Sequence, residues 1–373
     1  MFKLILVAGA RPNFMKIAPL MHALEGNREI EAVLVHTGQH YDEKMSGSFF
    51  KELRIPEPKV NLEVGSASQA VQTARIMERF EKVCVEEKPD AILVVGDVTS
   101  TAACSLVAAK LGIKVIHYEA GLRSHDRSMP EEINRLVTDA ISDLYLTTSI
   151  DADDNLLKEG VPKDKIYMVG NLMIDSLVAN LQKADSSSLE FKLLNRDGSV
   201  RIGLDVKTGD YGAMTFHRPS NVDDIDSLSK LVSIWGKVSE KIPLIFAVHP
   251  RTYKNIQSFN LEKEIDLYPN LYFIDPLGYM EFINLVKHSK FVLTDSGGIQ
   301  EETTYLNLPC LTVRPNTERP VTIWEGSNKL IGIEDILAEV DLILAGKGKA
   351  GHTPKFWDGH AAERIVKIIE SKL

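Results

Sequence analysis

The chain has 373 residues, 44% of them hydrophobic and 25% charged, which is typical of a soluble globular protein too long for one ordinary core. Its formal net charge of −9 argues against a general nucleic-acid-binding protein, because such proteins need a broad basic surface against phosphates. No stretch approaches the roughly 20 apolar residues of a membrane span. We therefore expect two domains of about 150–200 residues in a cytoplasmic protein with no membrane or nucleic-acid partner. Three cysteines without metal-like spacing, Cys84, Cys104 and Cys310, agree with buried, reduced thiols.

Short apolar runs alternate with amphipathic segments in the first half of the chain. The predicted strands are Lys3–Ala8, Ala32–His36, Ala91–Val95, Val115–Tyr118, Leu144–Thr147 and Ile166–Val169. The predicted helices are Phe14–Leu24, Gln69–Glu87, Ala102–Leu111 and Glu131–Ile141. Alternation of this length predicts a parallel sheet with helices on both faces, and the uninterrupted apolar runs agree because parallel strands are buried on both sides.

The second half repeats the plan. Its predicted strands are Tyr211–Phe216, Leu244–Val248, Leu271–Ile274, Phe291–Thr294 and Pro309–Val313, and its predicted helices are Ile225–Ser239, Met280–His288 and Ile299–Asn307. The segment Asp185–Gly209 is expected to be the least structured. The pattern predicts an α/β protein of two Rossmann-like, doubly wound domains facing a cleft, residues 1–170 and 171–356, with a C-terminal helix over 357–373 packing back on the first.

Ligands of such sheets bind at the carboxyl ends of the strands, so the loops there are the candidates for chemistry. Asn13 is placed to cap the first helix, and Arg11 and Lys16 beside it suit a phosphate, unless both cations are simply solvated. No G-x-G-x-x-G follows the first strand, which argues against a nicotinamide enzyme.

Carboxylates also follow strands in the first half. Asp97 either caps the next helix or has a functional role. Glu119 comes directly after a buried strand and has no capping explanation, which favours function. Glu131 and Glu132 follow Pro130 at the start of a helix, and favourable placement in the first turn accounts for only one of these two acids.

The second half instead offers cations and a glycine turn. His217-Arg218 and His249-Pro250-Arg251 follow two strands, and Asp295-Ser296-Gly297-Gly298 opens a helix that carries Glu301 and Glu302. A helix start of this kind binds anions through its backbone amides. We expect Glu301 to be solvated or helix-stabilising and Glu302 to lie a turn away from a bound phosphate.

Eight motifs stand in one order along the chain: G-A-R-P-N-F-M-K, T-G-Q-H-Y-D, G-D-V-T-S, E-A-G-L-R-S, M-P-E-E-I-N-R, H-R-P-S-N, D-S-G-G-I-Q-E-E and T-E-R-P. Together, from about Lys3 to Gly332, they resemble the non-hydrolysing UDP-N-acetylglucosamine 2-epimerases. The resemblance implies a GT-B type fold, a homodimer, a role in polysaccharide biosynthesis, and a reaction without NAD or metal. Such enzymes interconvert UDP-GlcNAc and UDP-ManNAc by eliminating UDP to a 2-acetamidoglucal and adding it back.

The resemblance also assigns roles to positions. The acid–base carboxylates are Asp97, Glu119 and Glu131, with the catalytic histidine His217 near the diphosphate. The UDP-binding residues are Arg11, Lys16, Phe282, Ser296, Gly297, Gly298, Glu302 and Arg319. An activating second site in some members matches Gln39, Arg218 and His249, but the family's Arg-Gln pair is replaced by Ser68-Gln69. Leu277 stands where enterobacterial members have Gln.

These departures leave alternatives open. One is a 2-epimerase of a related UDP-sugar such as UDP-2,3-diacetamido-glucuronate. Others are a GT-B glycosyltransferase, a non-catalytic nucleotide-sugar sensor, and a hydrolysing epimerase that releases free ManNAc. The missing arginine predicts that activation by UDP-GlcNAc is weak or absent.

Overall fold

A computed structural model describes residues 1–38, 50, 53–185, 191–194, 200–204 and 209–372. The chain divides into two compact units: Met1–Ser176 with Lys355–Leu373, and Leu177–Pro354. No helix among these described residues is long and apolar enough to cross a membrane. The three cysteines are buried and not bonded to one another.

The first unit is built on a seven-stranded sheet in which all strands run parallel. Its strands are β1 (Phe2–Ala8), β2 (Ile30–His36), β3 (Val60–Asn61), β4 (Ala91–Val95), β5 (Lys114–Tyr118), β6 (Leu144–Thr147) and β7 (Ile166–Met168). The spatial order is β3-β2-β1-β4-β5-β6-β7. This is the strand order of a Rossmann sheet, extended by one strand.

Helices cover the first sheet. They are α1 (Arg11–Leu24), α2 (Gln69–Glu87), α3 (Thr99–Lys110), α4 (Pro130–Ile141), α5 (Ile150–Lys158), α6 (Leu172–Asp185, which continues into the second unit) and α15 (Ala361–Lys372), with a short 3-10 turn at Lys163–Lys165. Apolar residues of β1, β4 and α2, such as Ile5, Ile92 and Phe80, form one core. The C-terminal helix α15 packs against α1, and the carboxylate of Asp175 accepts from its first two amides, at 3.1 and 2.8 Å.

The second unit has an eight-stranded sheet. Its strands are β8 (Phe191–Leu194), β9 (Val200–Leu204), β10 (Gly212–Thr215), β11 (Leu244–Ala247), β12 (Leu271–Ile274), β13 (Phe291–Thr294), β14 (Cys310–Val313) and β15 (Asn328–Ile331), in the order β15-β14-β13-β10-β11-β12-β8-β9. The six strands from β10 to β15 repeat the Rossmann order. Within Asp185–Gly209, the segment expected to be the least structured, the described residues form β8 and β9, which pair antiparallel and extend the β12 edge.

Helices of the second unit are α7 (Pro219–Val222), α8 (Ile225–Ser239), α9 (Pro250–Ser258), α10 (Glu262–Ile265), α11 (Tyr279–Lys287), α12 (Gly297–Tyr305), α13 (Val321–Trp324) and α14 (Ile336–Leu344), with a 3-10 turn at Ile333–Asp335. Trp235 of α8 packs with Phe216 and Phe246 at ring-centroid distances of 5.1 and 5.2 Å in the larger core of this unit.

The strand order of each sheet reverses at one place, between β1 and β4 in the first unit and between β10 and β13 in the second. Loops diverge at such a reversal and leave a crevice at the carboxyl ends of the strands, where open α/β sheets bind ligands. The candidate residues of each unit lie at or beside these two reversals.

Candidate active site

The loop after β1 is held against the end of β4 by the side chain of Asn13. Its Oδ1 atom accepts from the amides of Gly9 and Ala10, at 3.0 and 2.9 Å, and its Nδ2 atom donates to the carbonyl of Val95 at 3.2 Å. Asn13 caps α1 as predicted, but from inside the helix. Ala10 is the N-cap residue, and Asn13, the third helical residue, accepts from the N-cap amide as in a capping box, because Pro12 is accommodated in the first helical turn and the helix begins earlier.

Lys16 and Glu119 meet at this edge of the sheet. The Nζ atom of Lys16 lies 2.5 Å from Oε1 of Glu119, and both side chains are buried. Glu119 follows β5 with a φ of 70°, a left-handed conformation that residues other than glycine seldom adopt. After β4, Gly96 is also left-handed, and a Cβ atom there would lie 3.0 Å from Oε2 of Glu119. The structure therefore brings Lys16, Glu119 and the loop of Asp97 together, and α1 begins at Arg11 on the same edge.

Asp97 is tied to α4. Its Oδ2 atom accepts from Nε of Arg135 at 3.2 Å, and its carbonyl accepts from Nδ2 of Asn134 at 2.9 Å. The carboxylate is 30% exposed, whereas the guanidinium of Arg135 is buried. The alternative that Asp97 caps the next helix does not hold, because the N-cap of α3 is Val98. Asp97 thus stays accessible while Arg135 fixes its orientation.

Glu131 and Glu132 at the start of α4 have different environments. Glu132 is buried, accepts from the amides of Ser124 and His125 at 2.9 and 3.0 Å, and pairs with Arg135 at 2.9 Å. Glu131 is half-buried, and no hydrogen bond or ion pair reaches its carboxylate within the described part of the chain. Glu132 is therefore the structural acid of the two, and Glu131 is the candidate for chemistry.

At the reversal in the second unit, Asp295 orients His217. The buried carboxylate accepts from the amides of His217 and Arg218, at 3.1 and 2.9 Å, and from Nδ2 of Asn221 at 3.1 Å. The Nδ1 atom of His217 lies 3.1 Å from Oδ1. Burial would raise the pKa of Asp295, but His217 and the surrounding donors hold that pKa below its usual value. An anionic Asp295 therefore fixes a histidine that remains 36% exposed.

The two glycines that open α12 have different surroundings. A Cβ atom on Gly297 would lie 2.9 Å from Nη1 of Arg319 and 2.9 Å from Oε1 of Glu318, so a larger residue would displace these side-chain ends. A Cβ atom on Gly298 would meet nothing within 4 Å. Ser296 is the N-cap, and its side chain makes no capping hydrogen bond. The start of α12 is thus packed from one side at Gly297 and open at Gly298.

Glu301 belongs to a buried charged cluster. The prediction that it is solvated was wrong, because Arg319 reaches back to it with Nε 3.0 Å from Oε1. Arg319 also contacts Glu318, which accepts from Arg314 at 3.0 Å. These four residues carry two charges of each sign, so the cluster is formally neutral. Its residues Arg319 and Glu318 lie against Gly297.

Glu302 is buried on the same helix. Burial raises its pKa to about 8, against the lowering effect of the Tyr279 hydroxyl, and the adjacent Glu301 adds to the rise. Tyr279 begins α11, and Phe282 and Leu277 pack with that helix against an apolar core cluster. Arg319, Glu302 and the glycine turn therefore lie together on and around α12, while Phe282 lies on α11.

The predicted remnant of a second site is only partly visible. His249 caps α9, its Nδ1 atom accepting from the amide of Arg251 at 3.2 Å, and its ring lies 5.6 Å from that of His217. Burial, His217 and Arg251 lower the pKa of His249. Arg218 precedes α7, and Gln39 lies outside the described residues. Ser68, which the resemblance matches to an arginine of the family, is the N-cap of α2.

Four residues that sequence reasoning did not assign support the candidate groups: Asp295, Asn221, Arg135 and Tyr279. An acid at the end of a strand directly before a glycine turn was a usable signal for Asp295. The others act through contacts distant in sequence. No group of three or more His, Cys, Asp or Glu side chains suited to a metal occurs among the residues that the structure describes.

Two Rossmann-like units, with carboxylates at the strand-order reversal of one and a glycine-rich helix start at that of the other, define a GT-B-like α/β protein. The chain belongs to the UDP-N-acetylglucosamine 2-epimerase family, whose model matches residues 22–370.

Individual relatives agree with this assignment. A Methanocaldococcus jannaschii protein named UDP-N-acetylglucosamine 2-epimerase is 40% identical over 98% of both chains. A crystal structure of the M. jannaschii UDP-GlcNAc 2-epimerase in complex with UDP-GlcNAc and UDP has a TM-score of 0.85 at 40% identity, covering 99% of this chain and 100% of that one. A Pseudomonas aeruginosa protein named UDP-2,3-diacetamido-2,3-dideoxy-D-glucuronate 2-epimerase is 35% identical over 98% of this chain and 99% of its own.

Proposed function

We propose that the protein is a non-hydrolysing epimerase that interconverts UDP-GlcNAc and UDP-ManNAc by elimination and re-addition of UDP through a 2-acetamidoglucal. The observation that carries the proposal is Glu119, a strand-end carboxylate held by buried Lys16 beside the Asp97 loop. The hydrogen on carbon 2 of the sugar is not adjacent to a carbonyl, so its removal is coupled to departure of UDP from carbon 1. The reaction therefore needs carboxylates at carbon 2 and positive groups at the diphosphate.

The first unit supplies the proton-transfer groups in this proposal. Asp97, Glu119 and Glu131 take and return the proton at carbon 2, one face of the ring at a time. Arg135 holds Asp97, and Lys16 compensates the charge of Glu119. The resemblance assigns a nucleotide contact to Arg11, the first residue of α1.

The second unit supplies the UDP site. The amides at the start of α12, from Ser296 to Gly298, donate to the diphosphate, and the open space at Gly298 supports a close approach of the ligand. His217 and Arg319 donate hydrogen bonds that stabilise UDP as it leaves. Glu302 accepts from the ribose hydroxyls, and Phe282 contacts the uracil.

The test is incubation of the protein with UDP-ManNAc in deuterated buffer, followed by NMR. We expect UDP-GlcNAc with deuterium at carbon 2. Absence of both the product and the deuterium would overturn the proposal. The diacetamido-glucuronate sugar nucleotide, tested side by side, distinguishes the related epimerase. Sugar transfer to an acceptor without epimerised product would instead show a glycosyltransferase, and free ManNAc a hydrolysing enzyme.

We also propose a cytoplasmic homodimer. Free, buried cysteines support a reducing compartment. An open groove of about 520 Å³ between α2 and α4, lined partly by Ala74, Met77 and Ile133, supports an apolar face for a second copy. Light scattering tests the state: a dimer is expected, and Ile133→Glu is expected to shift it toward monomer. A monomeric wild-type protein would contradict the proposal.

The proposed weakness of UDP-GlcNAc activation is supported by Ser68, which replaces the family's arginine and caps α2 instead. Initial rates with UDP-ManNAc, with and without added UDP-GlcNAc, test this. We expect little stimulation. A strong rate increase at low UDP-GlcNAc would contradict it.

A further inference from the structure

Beneath the proposed proton-transfer groups lies a buried pair, His117 and Asp139, that the reaction described above does not use. We propose that this pair, here named the loop clamp, positions the two strand-end loops that carry Asp97 and Glu119. The proposal rests on the proposed function for its catalytic consequence. Its structural consequence can be tested without any activity.

The loop clamp connects both loops through three polar contacts. The Nε2 atom of His117 lies 2.9 Å from the carbonyl oxygen of Gly96, the residue before Asp97. The Nδ1 atom of His117 lies 2.6 Å from Oδ1 of Asp139. The other carboxylate oxygen, Oδ2, accepts from the amide of Gly121, two residues after Glu119, at 3.0 Å. One imidazole and one carboxylate therefore join the loop after β4 to the loop after β5.

Further charged groups hold the clamp in place. Both ring nitrogens of His117 lie within hydrogen-bond distance of an oxygen atom, one of a carboxylate and one of a carbonyl. Asp139 also pairs with Arg123 at 2.7 Å, and Arg123 pairs in turn with Glu159. Burial alone would raise the pKa of Asp139, but His117 and Arg123 hold that pKa below its usual value.

The loops need such external support. Gly96 has a φ of 68° and Glu119 a φ of 70°, so both lie in the left-handed region. For glutamate this conformation is unfavourable and persists only where its surroundings determine it. Glu119 is fixed on the strand side by a hydrogen bond from its amide to the carbonyl of Leu146 at 3.0 Å. The clamp fixes Gly121 beyond it and Gly96 opposite it. Loss of the clamp is therefore expected to misplace the carboxylates rather than remove them.

Two substitutions separate the contacts. His117→Gln keeps a donor near the Nε2 position, toward Gly96, and loses the contact with Asp139. His117→Asn keeps a donor near the Nδ1 position and loses the contact with Gly96. We expect kcat to fall by about tenfold to 100-fold in each, because small displacements of reacting groups are costly. The Kd for UDP should change by less than about twofold, since the groups proposed to bind UDP are mostly on the second unit.

Tyr145→Phe is the matched control. The buried Tyr145 hydroxyl lies 2.8 Å from the carbonyl oxygens of Asp139 and of Ser142 and donates to them, so its loss removes buried hydrogen bonds to the backbone beside the clamp while the side-chain contacts of His117 and Asp139 stay in place. It should lower the melting temperature while kcat stays within about twofold of the wild type. If His117 acted through stability alone, the fall in kcat would follow the fall in melting temperature in the same way in all three variants.

Amide hydrogen exchange provides the second readout. In His117→Gln and His117→Asn, exchange is expected to accelerate in the loops around Gly96 and Gly121, and in Tyr145→Phe it should not. This readout holds even if the wild-type protein shows no epimerisation, in which case the proposed function fails but the clamp is still tested. If neither His117 variant folds, Asp139→Asn takes their place with the same readouts. Folded variants with wild-type kcat and wild-type loop exchange would overturn the proposal.

Discussion

The ammonium of Lys16 and the carboxylate of Glu119 lie 2.5 Å apart, and both are buried. Lys16 lies in the second turn of α1 and Glu119 directly follows β5, so their contact joins α1 to the end of β5. A buried charge is tolerated when its partner is present and is very unfavourable when that partner is removed. This asymmetry makes the pair a direct test of how the proposed site is held.

Lys16→Met is expected to lower the free energy of unfolding by about 3–5 kcal/mol, because it leaves Glu119 buried without its counter-charge. The double variant Lys16→Met/Glu119→Gln should recover part of that loss. Lys59→Met is the control, since Lys59 pairs with Glu87 at 2.8 Å but is 54% exposed, and its loss should cost less than about 1 kcal/mol. Urea unfolding measures all of these. Equal losses for Lys16→Met and Lys59→Met would contradict the assignment.

The glycines of α12 should respond in opposite ways to alanine. Gly297→Ala places a methyl group against Arg319 and Glu318 and should cost about 1–3 kcal/mol of stability. Gly298→Ala meets no protein atom and should stabilise the helix by about 0.5–1 kcal/mol. Its methyl group would nonetheless occupy the space proposed for the diphosphate. Calorimetric titration with UDP should therefore show weaker binding for Gly298→Ala despite a higher melting temperature; unchanged affinity would argue against a diphosphate there.

Glu131→Gln and Glu132→Gln form another matched pair. Glu131→Gln is expected to lower kcat by about 100-fold or more, the usual contribution of a general acid or base, with little change in melting temperature. Glu132→Gln should lower the melting temperature, because Glu132 holds two amides and Arg135. Kinetics and thermal unfolding of both variants check this. The reverse pattern would move the proposed chemistry from Glu131 to Glu132.

Glu302 predicts a pH dependence of stability. Its pKa is raised from 4.5 to about 8 in the folded protein, so between these values the folded state binds more protons than the unfolded state. Stability from this group is fully present below pH 4.5 and falls by about 1.4 kcal/mol per pH unit as the pH rises toward 8. The difference between wild type and Glu302→Gln, measured by urea unfolding across this range, isolates the effect. A difference independent of pH would show that Glu302 is ionised throughout.

Much of the fold could be predicted from sequence because buried parallel strands are continuous apolar runs. Ile92 and Ile5 illustrate this, each fully buried within such a run. The strands β8 and β9 were not predicted in this way, because each is only four or five residues long with a charged residue inside it, and they pair antiparallel at the edge of the second sheet. Edge strands are stabilised by the neighbour they extend, which a local pattern does not reveal.

Within the candidate site, positions directly after strands were predictable and their partners were not. The place of Glu119 after β5 was evident from the sequence, but its contact with Lys16 depends on how β1 and β5 flank β4. Glu301 was expected in solvent because an acid in a helix usually is. Instead, Glu301 is buried and paired with Arg319, which lies in a later loop, and only the tertiary structure shows this contact.

The position of the C-terminal helix α15 has a consequence for the order in which the two units fold during synthesis. It packs against α1, its first amides are capped by Asp175, and the indole of Trp357 just before it donates to the carbonyl of Thr148 at 3.0 Å. The whole second unit, Leu177–Pro354, is synthesised after α1, Thr148 and Asp175 and before α15. Because domains generally fold as units while the chain emerges, the second unit can finish folding first, and the nascent first unit keeps part of α1 uncovered until the last helix arrives.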